Sequence, residues 1–225
     1  MISEQVAVPV KSGTFDSFYA RPDGDGPFPG VVVIHEIFGL NDNIRDIAGR
    51  FAAEGYAALA VDMMSGRNRA VCMARFMSVL VLKPLNHRGI HDLRASLTWL
   101  AGRPEIDTDR LGAIGFCMGG SFALSWACTD TRLKVTAPFY SMNPRPLEAV
   151  ARSCPVVGSF PEDDWTAKGG QKLEEMLDTH DVTNDIVIYP EAGHSFFNDQ
   201  GSHYNAEAAE DAWQRTLAFF GRHLG

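Results

Sequence analysis

The sequence contains no apolar run approaching the roughly 20 residues that a membrane-spanning helix requires, so no transmembrane segment is expected. Nor does it carry an excess of basic charge: 20 Lys and Arg stand against 28 Asp and Glu, a formal net charge of −8. A surface that tracks phosphates needs the opposite sign, which argues against nucleic acid as a partner. The opening Met-Ile-Ser-Glu-Gln lacks the basic and apolar stretches of a secretory signal, and a cytoplasmic location is expected. Cysteine is sparse, and Cys72, Cys117, Cys128 and Cys154 show neither CxxC nor Cys/His pairing at zinc-ligand spacing, so free thiols are expected and no metal. No repeat, low-complexity tract or linker-like change of composition divides the 225 residues, which read as a single domain, 1–225. With 45% apolar and 21% charged residues, the chain has the composition of an ordinary globular protein, able to bury a substantial core.

What is present is an alternation of two patterns. Short runs rich in β-branched residues at Val31 to Ile34, Ala57 to Val61, Leu111 to Phe116, Val135 to Phe139, Val156 to Phe160 and Ile186 to Tyr189 read as buried strands. Between them, apolar residues recur at helical spacing: Ile44, Ile47, Ala48 and Phe51; Ile90, Leu93, Leu97 and Leu100; Leu173, Met176 and Leu177; Ala206, Ala209, Trp213, Leu217 and Phe220. Strand and helix in alternation predict an α/β protein with a mostly parallel sheet covered on both faces. Val6 to Val10 and Phe15 to Tyr19, separated by Lys11-Ser12-Gly13, predict an antiparallel hairpin at one sheet edge. The segment from Met63 to His87 is read as a loop plus a helix placed to cover a site.

The strongest local signal is Gly115-Phe116-Cys117-Met118-Gly119-Gly120, between a strand pattern and a helix pattern. It is a Gly-x-nucleophile-x-Gly elbow with Cys in the nucleophile position. A strand-to-helix turn this tight leaves no room for side chains two positions either side of the nucleophile, which explains the glycines. The turn also puts the Met118 N–H at a helix N-terminus, where it can stabilise an oxyanion. A plain buried thiol beside closely packed glycines is the alternative. The best candidate base is His194, in the loop after Ile186 to Tyr189, whereas His35 closes a strand and is read as structural. An acid to orient the base is available in Glu162-Asp163-Asp164-Trp165, and position alone leaves both aspartates open. Nucleophile, acid and base then follow one another after separate strands, the chain order of α/β-hydrolase triads. The loop His35-Glu36-Ile37-Phe38-Gly39 fails as HExxH because position 39 is Gly. Facing the elbow, it can supply the Ile37 N–H as a second oxyanion donor, and Glu36 as a carboxylate that holds a resting thiol neutral.

Taken together, the segments 31–40, 115–120, 158–164 and 193–196 resemble the dienelactone hydrolase family (carboxymethylenebutenolidases), across nearly the whole chain. The resemblance implies an α/β-hydrolase fold and a triad of Cys117, Asp164 and His194, with Asp164 preferred over Asp163 because the family's acid loop reads Gly-x-x-Asp. It implies Glu36 as partner of the resting thiol, Ile37 and Met118 as oxyanion donors, and Arg67 as the arginine that binds a substrate carboxylate. One departure stands out: where family members that degrade dienelactones carry a second arginine four residues after the histidine, this chain has Asn198. The function expected is cysteine-dependent hydrolysis of a small-molecule lactone or ester through a thioester acyl-enzyme. No cofactor, metal, nucleic acid or membrane is expected, and the assembly is a monomer or small homo-oligomer. The alternatives are a general carboxylesterase or thioesterase acting on a neutral substrate, and a non-catalytic binding protein that kept the fold.

Overall fold

The computed structural model describes residues 1–65 and 84–225. Eight strands among these residues form one sheet: β1 (Ile2–Val10), β2 (Gly13–Arg21), β3 (Phe28–Ile34), β4 (Ala57–Val61), β5 (Ile106–Phe116), β6 (Leu133–Phe139), β7 (Val156–Asp163) and β8 (Asn184–Gly193), in the spatial order β1-β2-β4-β3-β5-β6-β7-β8. The hairpin β1–β2 is antiparallel and joins antiparallel to β4; every other pairing is parallel. Among the same described residues, five α-helices lie against the sheet: α1 (Asp42–Ala53), α2 (Arg88–Ala101), α3 (Met118–Ala127), α4 (Ala167–Thr179) and α5 (Ala206–Leu224). The expected mostly parallel sheet with an N-terminal edge hairpin is therefore present.

The two-residue period of a strand distributes the core over both faces. Val31 and Val33 of β3, with Ala58 and Ala60 of β4, pack with Ile44, Ile47 and Phe51 of α1 and Trp213 and Phe220 of α5. The intervening Val32, Ile34, Leu59 and Val61 face Ile90, Leu93 and Leu97 of α2 and Phe122 and Trp126 of α3. Leu173 and Leu177 of α4 extend the layer over Val156, Phe160 and Ile186, alongside Leu124 of α3. A central strand buried on both faces must be apolar at every position, which is why these runs show no alternation. The start of α1 is set locally, because the Asn41 side chain accepts a hydrogen bond from the Ile44 N–H at 3.1 Å.

Three strands extend beyond their apolar runs. β5 begins at Ile106, paired with Phe28, and shifts register between Leu111 and Gly112. β7 and β8 continue through polar residues to a final pair, Asp163 with Gly193, after a register shift between Pro161 and Asp163. That last pairing makes Asp164 and His194, 30 residues apart in sequence, neighbours at the ends of two adjacent strands. Of the segment read as loop plus helix from Met63 to His87, residues 66–83 lie outside the described part, as do Arg67 and Cys72. Its end appears as a one-turn 3₁₀ helix, Pro84–Asn86, before α2. No helix among the described residues is long and apolar enough to cross a membrane.

The elbow depends on three close backbone approaches. A Cβ on Gly115 would lie 2.2 Å from the Gly119 carbonyl oxygen, one on Gly119 2.4 Å from that of Ile34, and one on Gly120 2.8 Å from that of Phe139. All three obstacles are backbone, which cannot swing aside. Gly119→Ala is therefore expected to destabilise the protein by about 3 kcal/mol or more, read as a fall in Tm, whereas Gly221→Ala, where nothing lies within 4 Å, should leave Tm unchanged or higher.

Candidate active site

The parallel strands all end at one edge of the sheet, and the residues following β3, β5, β6, β7 and β8 converge there. Cys117 occupies the turn between β5 and α3 with φ 54° and ψ −114°, a backbone geometry that non-glycine residues rarely adopt. The turn is tied down by the Cys117 N–H donating to the Phe139 carbonyl at 3.0 Å and by the Ser121 hydroxyl donating to the Cys117 carbonyl at 3.1 Å. Its side chain stands at the N-terminus of α3, within hydrogen-bonding reach of the Met118 N–H.

The three residues read as nucleophile, base and acid meet in one chain of contacts. Cys117 Sγ lies 3.2 Å from His194 Nε2, and His194 Nδ1 lies 2.8 Å from Asp164 Oδ2. The Asp164 carboxylate is itself oriented, accepting from the Trp165 N–H at 2.8 Å and from the Thr166 hydroxyl at 2.5 Å. Asp163, by contrast, is the exposed last residue of β7, so between the two aspartates it is Asp164 that reaches the histidine. The imidazole sits between two aromatic rings, 5.1 Å from Tyr140 and stacked on Trp165 at 6.1 Å.

Glu36 is buried beside this chain, 4% exposed. Its oxygens accept from the Ser195 hydroxyl at 2.7 Å, from the Asn198 amide at 3.2 Å and from the Tyr140 hydroxyl. These donors satisfy the carboxylate, while the thiol's hydrogen bond runs to His194, so Glu36 acts on Cys117 through its charge. Burial first, then the Glu36 carboxylate, push the Cys117 thiol up to about 12, only partly opposed by the Met118 N–H. Tyr140 is raised well above its usual value, by burial first and then by Glu36, so its hydroxyl keeps the proton it donates.

Ile37, Cys117, Met118, Ser121, Tyr140, Met142 and Trp165 line an open cleft above the thiol. Among the described residues no acceptor faces the Ile37 N–H, and that of Met118, the first residue of α3, meets only the thiol. Among the same residues no group of three or more His, Cys, Asp or Glu could hold a metal ion. Asn198, noted for what it replaces, is 6% exposed and occupied with Glu36. Tyr140, Ser195 and Trp165 were not singled out by sequence, although Tyr140 directly follows a predicted strand at the same sheet edge as the other site residues.

Comparison with known proteins bears on the fold and the family. The model of the dienelactone hydrolase family matches residues 15–224. Proteins named "Putative carboxymethylenebutenolidase" from Methylorubrum extorquens and Escherichia coli are 30% and 32% identical, over 98% and 97% of this chain and 81% and 86% of theirs. The crystal structure of a dienelactone hydrolase-like promiscuous phosphotriesterase from metagenomic libraries superposes with a TM-score of 0.88 at 26% identity, covering 100% of this chain and 99% of that one. The sheet, the elbow and these likenesses together define an α/β-hydrolase fold, and the chain belongs to the dienelactone hydrolase family of hydrolases.

Proposed function

We propose that the protein cleaves a lactone or small carboxylic ester by nucleophilic attack of Cys117 through a thioester acyl-enzyme. The observation that carries this reading is the contact chain Sγ to Nε2 at 3.2 Å and Nδ1 to Asp164 at 2.8 Å, at the mouth of a cleft. The thiol is protonated at rest, so attack is coupled to proton transfer: His194 Nε2 takes the Sγ proton as the S–C bond forms. Asp164 holds the other ring nitrogen as N–H, which leaves Nε2 as the acceptor and stabilises the imidazolium. The developing oxyanion is met by the N–H groups of Ile37 and Met118. Collapse breaks the ester C–O bond, and the proton on Nε2 passes to the leaving oxygen. Water, deprotonated by the same nitrogen, then attacks the thioester and releases the acid and the thiol.

A neutral substrate is the second reading, and Asn198 favours it. A guanidinium at that position would offer a charged, bidentate hold on a substrate carboxylate; the amide is neutral and already bonded to Glu36. Arg67, which the family resemblance assigns to the substrate carboxylate, is the cation on which the anionic reading rests.

Four results are expected. Cys117→Ala abolishes hydrolysis of both p-nitrophenyl acetate and a carboxylate-bearing dienelactone, and whichever of the two the wild type turns over decides between the readings. Asp164→Asn lowers kcat by at least about a hundredfold, while Asp163→Asn stays within about twofold; equal effects would remove Asp164 from its role. Alkylation of the resting enzyme by iodoacetamide still accelerates at pH 10, beyond the range of an ordinary thiol, because the thiol is pushed up to about 12. Glu36→Gln removes a negative charge that opposes the thiolate, so its alkylation profile moves to lower pH; an unmoved profile would mean that Glu36 does not hold the thiol neutral.

A further inference from the structure

His35 is completely buried, and both of its ring nitrogens are engaged with backbone. Nδ1 is hydrogen-bonded to the carbonyl oxygen of Glu36, and Nε2 lies 3.0 Å from the backbone nitrogen of Met63. A carbonyl oxygen can only accept, so Nδ1 carries the proton; a backbone N–H can only donate, so Nε2 presents its lone pair. One neutral tautomer satisfies both bonds. The titratable group nearest the ring is Asp62, whose Oδ1 lies 3.3 Å from the same Nε2 and also accepts from the Met64 N–H at 2.9 Å.

The consequence lies one bond further along the chain. The Glu36–Ile37 peptide is trans, and in a trans peptide the C=O and N–H point to opposite sides. With the Glu36 carbonyl held toward the buried ring, the Ile37 N–H is aimed the other way, toward the cleft that Ile37 shares with Cys117 and Met118. That N–H has no acceptor among the described residues, as expected of a donor kept free for a ligand. Among the described residues no other donor meets the Glu36 carbonyl, so loss of the ring frees this peptide to rotate, and a flip would point the Glu36 carbonyl oxygen at the oxyanion.

We infer that His35 is a positioning residue for catalysis: by fixing the Glu36–Ile37 peptide it preforms one of the two donors of the oxyanion hole. The inference rests on the thioester reading above. It deepens that reading by assigning the donor's orientation to a side chain that never touches substrate. Met63, through its N–H, sets the tautomer and so links the turn after β4 to the donor formed after β3.

The test compares p-nitrophenyl acetate with its thiono analogue, in which sulfur replaces the carbonyl oxygen. Sulfur is a weak hydrogen-bond acceptor, so an oxyanion donor favours the oxygen ester selectively. His35→Phe keeps a ring but loses both bonds, and should lower kcat for the oxygen ester about a hundredfold. KM should change little and the thiono ester should fall far less, so that the ratio of the two rates collapses. His35→Gln, whose amide can donate to the Glu36 carbonyl and accept from the Met63 N–H, should recover most of the ratio and keeps the test informative where His35→Phe does not fold. A fall of equal size on both substrates, an unchanged ratio in His35→Phe, or a collapsed ratio in His35→Gln, each with Cys117-dependent activity intact, overturns the inference alone. Activity surviving in Cys117→Ala would instead overturn the thioester reading.

Discussion

The structure turns on the backbone of Cys117. Its φ of 54° and ψ of −114° cost about 1–3 kcal/mol relative to relaxed backbone, and the surroundings must hold it there. They do so by packing: every residue of α3 is buried, and the helix approaches β3 and β5 so closely that only glycine fits at positions 115, 119 and 120. A relaxed turn would separate strand and helix, fill the gap with a side chain and lower the thiol into the core. The strained one raises the thiol above the sheet edge and points the unsatisfied N-terminus of α3 at it.

A second constraint is the buried charge of Glu36. A carboxylate removed from water is costly unless hydrogen-bonded, and here the donors come from two separate strand ends, Tyr140 after β6 and Ser195 and Asn198 after β8. One carboxylate thereby joins the loops after β3, β6 and β8, and its field adds to burial in keeping the adjacent thiol protonated. A thiol without thiolate character is a poor target for oxidants and stray electrophiles, so the arrangement that stabilises the loops also protects the Cys117 thiol.

The architecture was legible because the central strands are buried on both faces and so leave continuous apolar runs; Ala57–Val61 was found with its true boundaries. The elbow was legible because close backbone approach leaves a local signature in glycine. The choice of acid was not legible locally. Asp163 and Asp164 are chemically equivalent neighbours, and only the register that pairs Asp163 with Gly193 turns Asp164 toward His194. Family resemblance preferred the aspartate that reaches His194, without supplying that reason. The anchors of Glu36 were hidden for the same cause, since each is a contact across more than 100 residues of sequence. His35 was read as structural, which its burial supports, but its bond to a peptide at the cleft could not be inferred from composition or spacing.

The distribution of charge at the site bears on what can enter it. At rest the thiol is protonated, and the Asp164 and Glu36 carboxylates are each met by donors of the protein itself. In the proposed mechanism, when the Sγ proton moves to Nε2, two charges appear together: a thiolate at the positive end of α3, and an imidazolium whose Nδ1 already faces Asp164. Each new charge therefore forms beside a compensating group that was in place beforehand, and no countercharge from the substrate is required. A substrate that brought a carboxylate near Glu36 would meet like charge in a low-dielectric setting, where the cost is largest. On the proposed mechanism, the described residues thus suit a neutral carbonyl, and anion recognition would require a cation from outside them, the place that Arg67 occupies in the sequence.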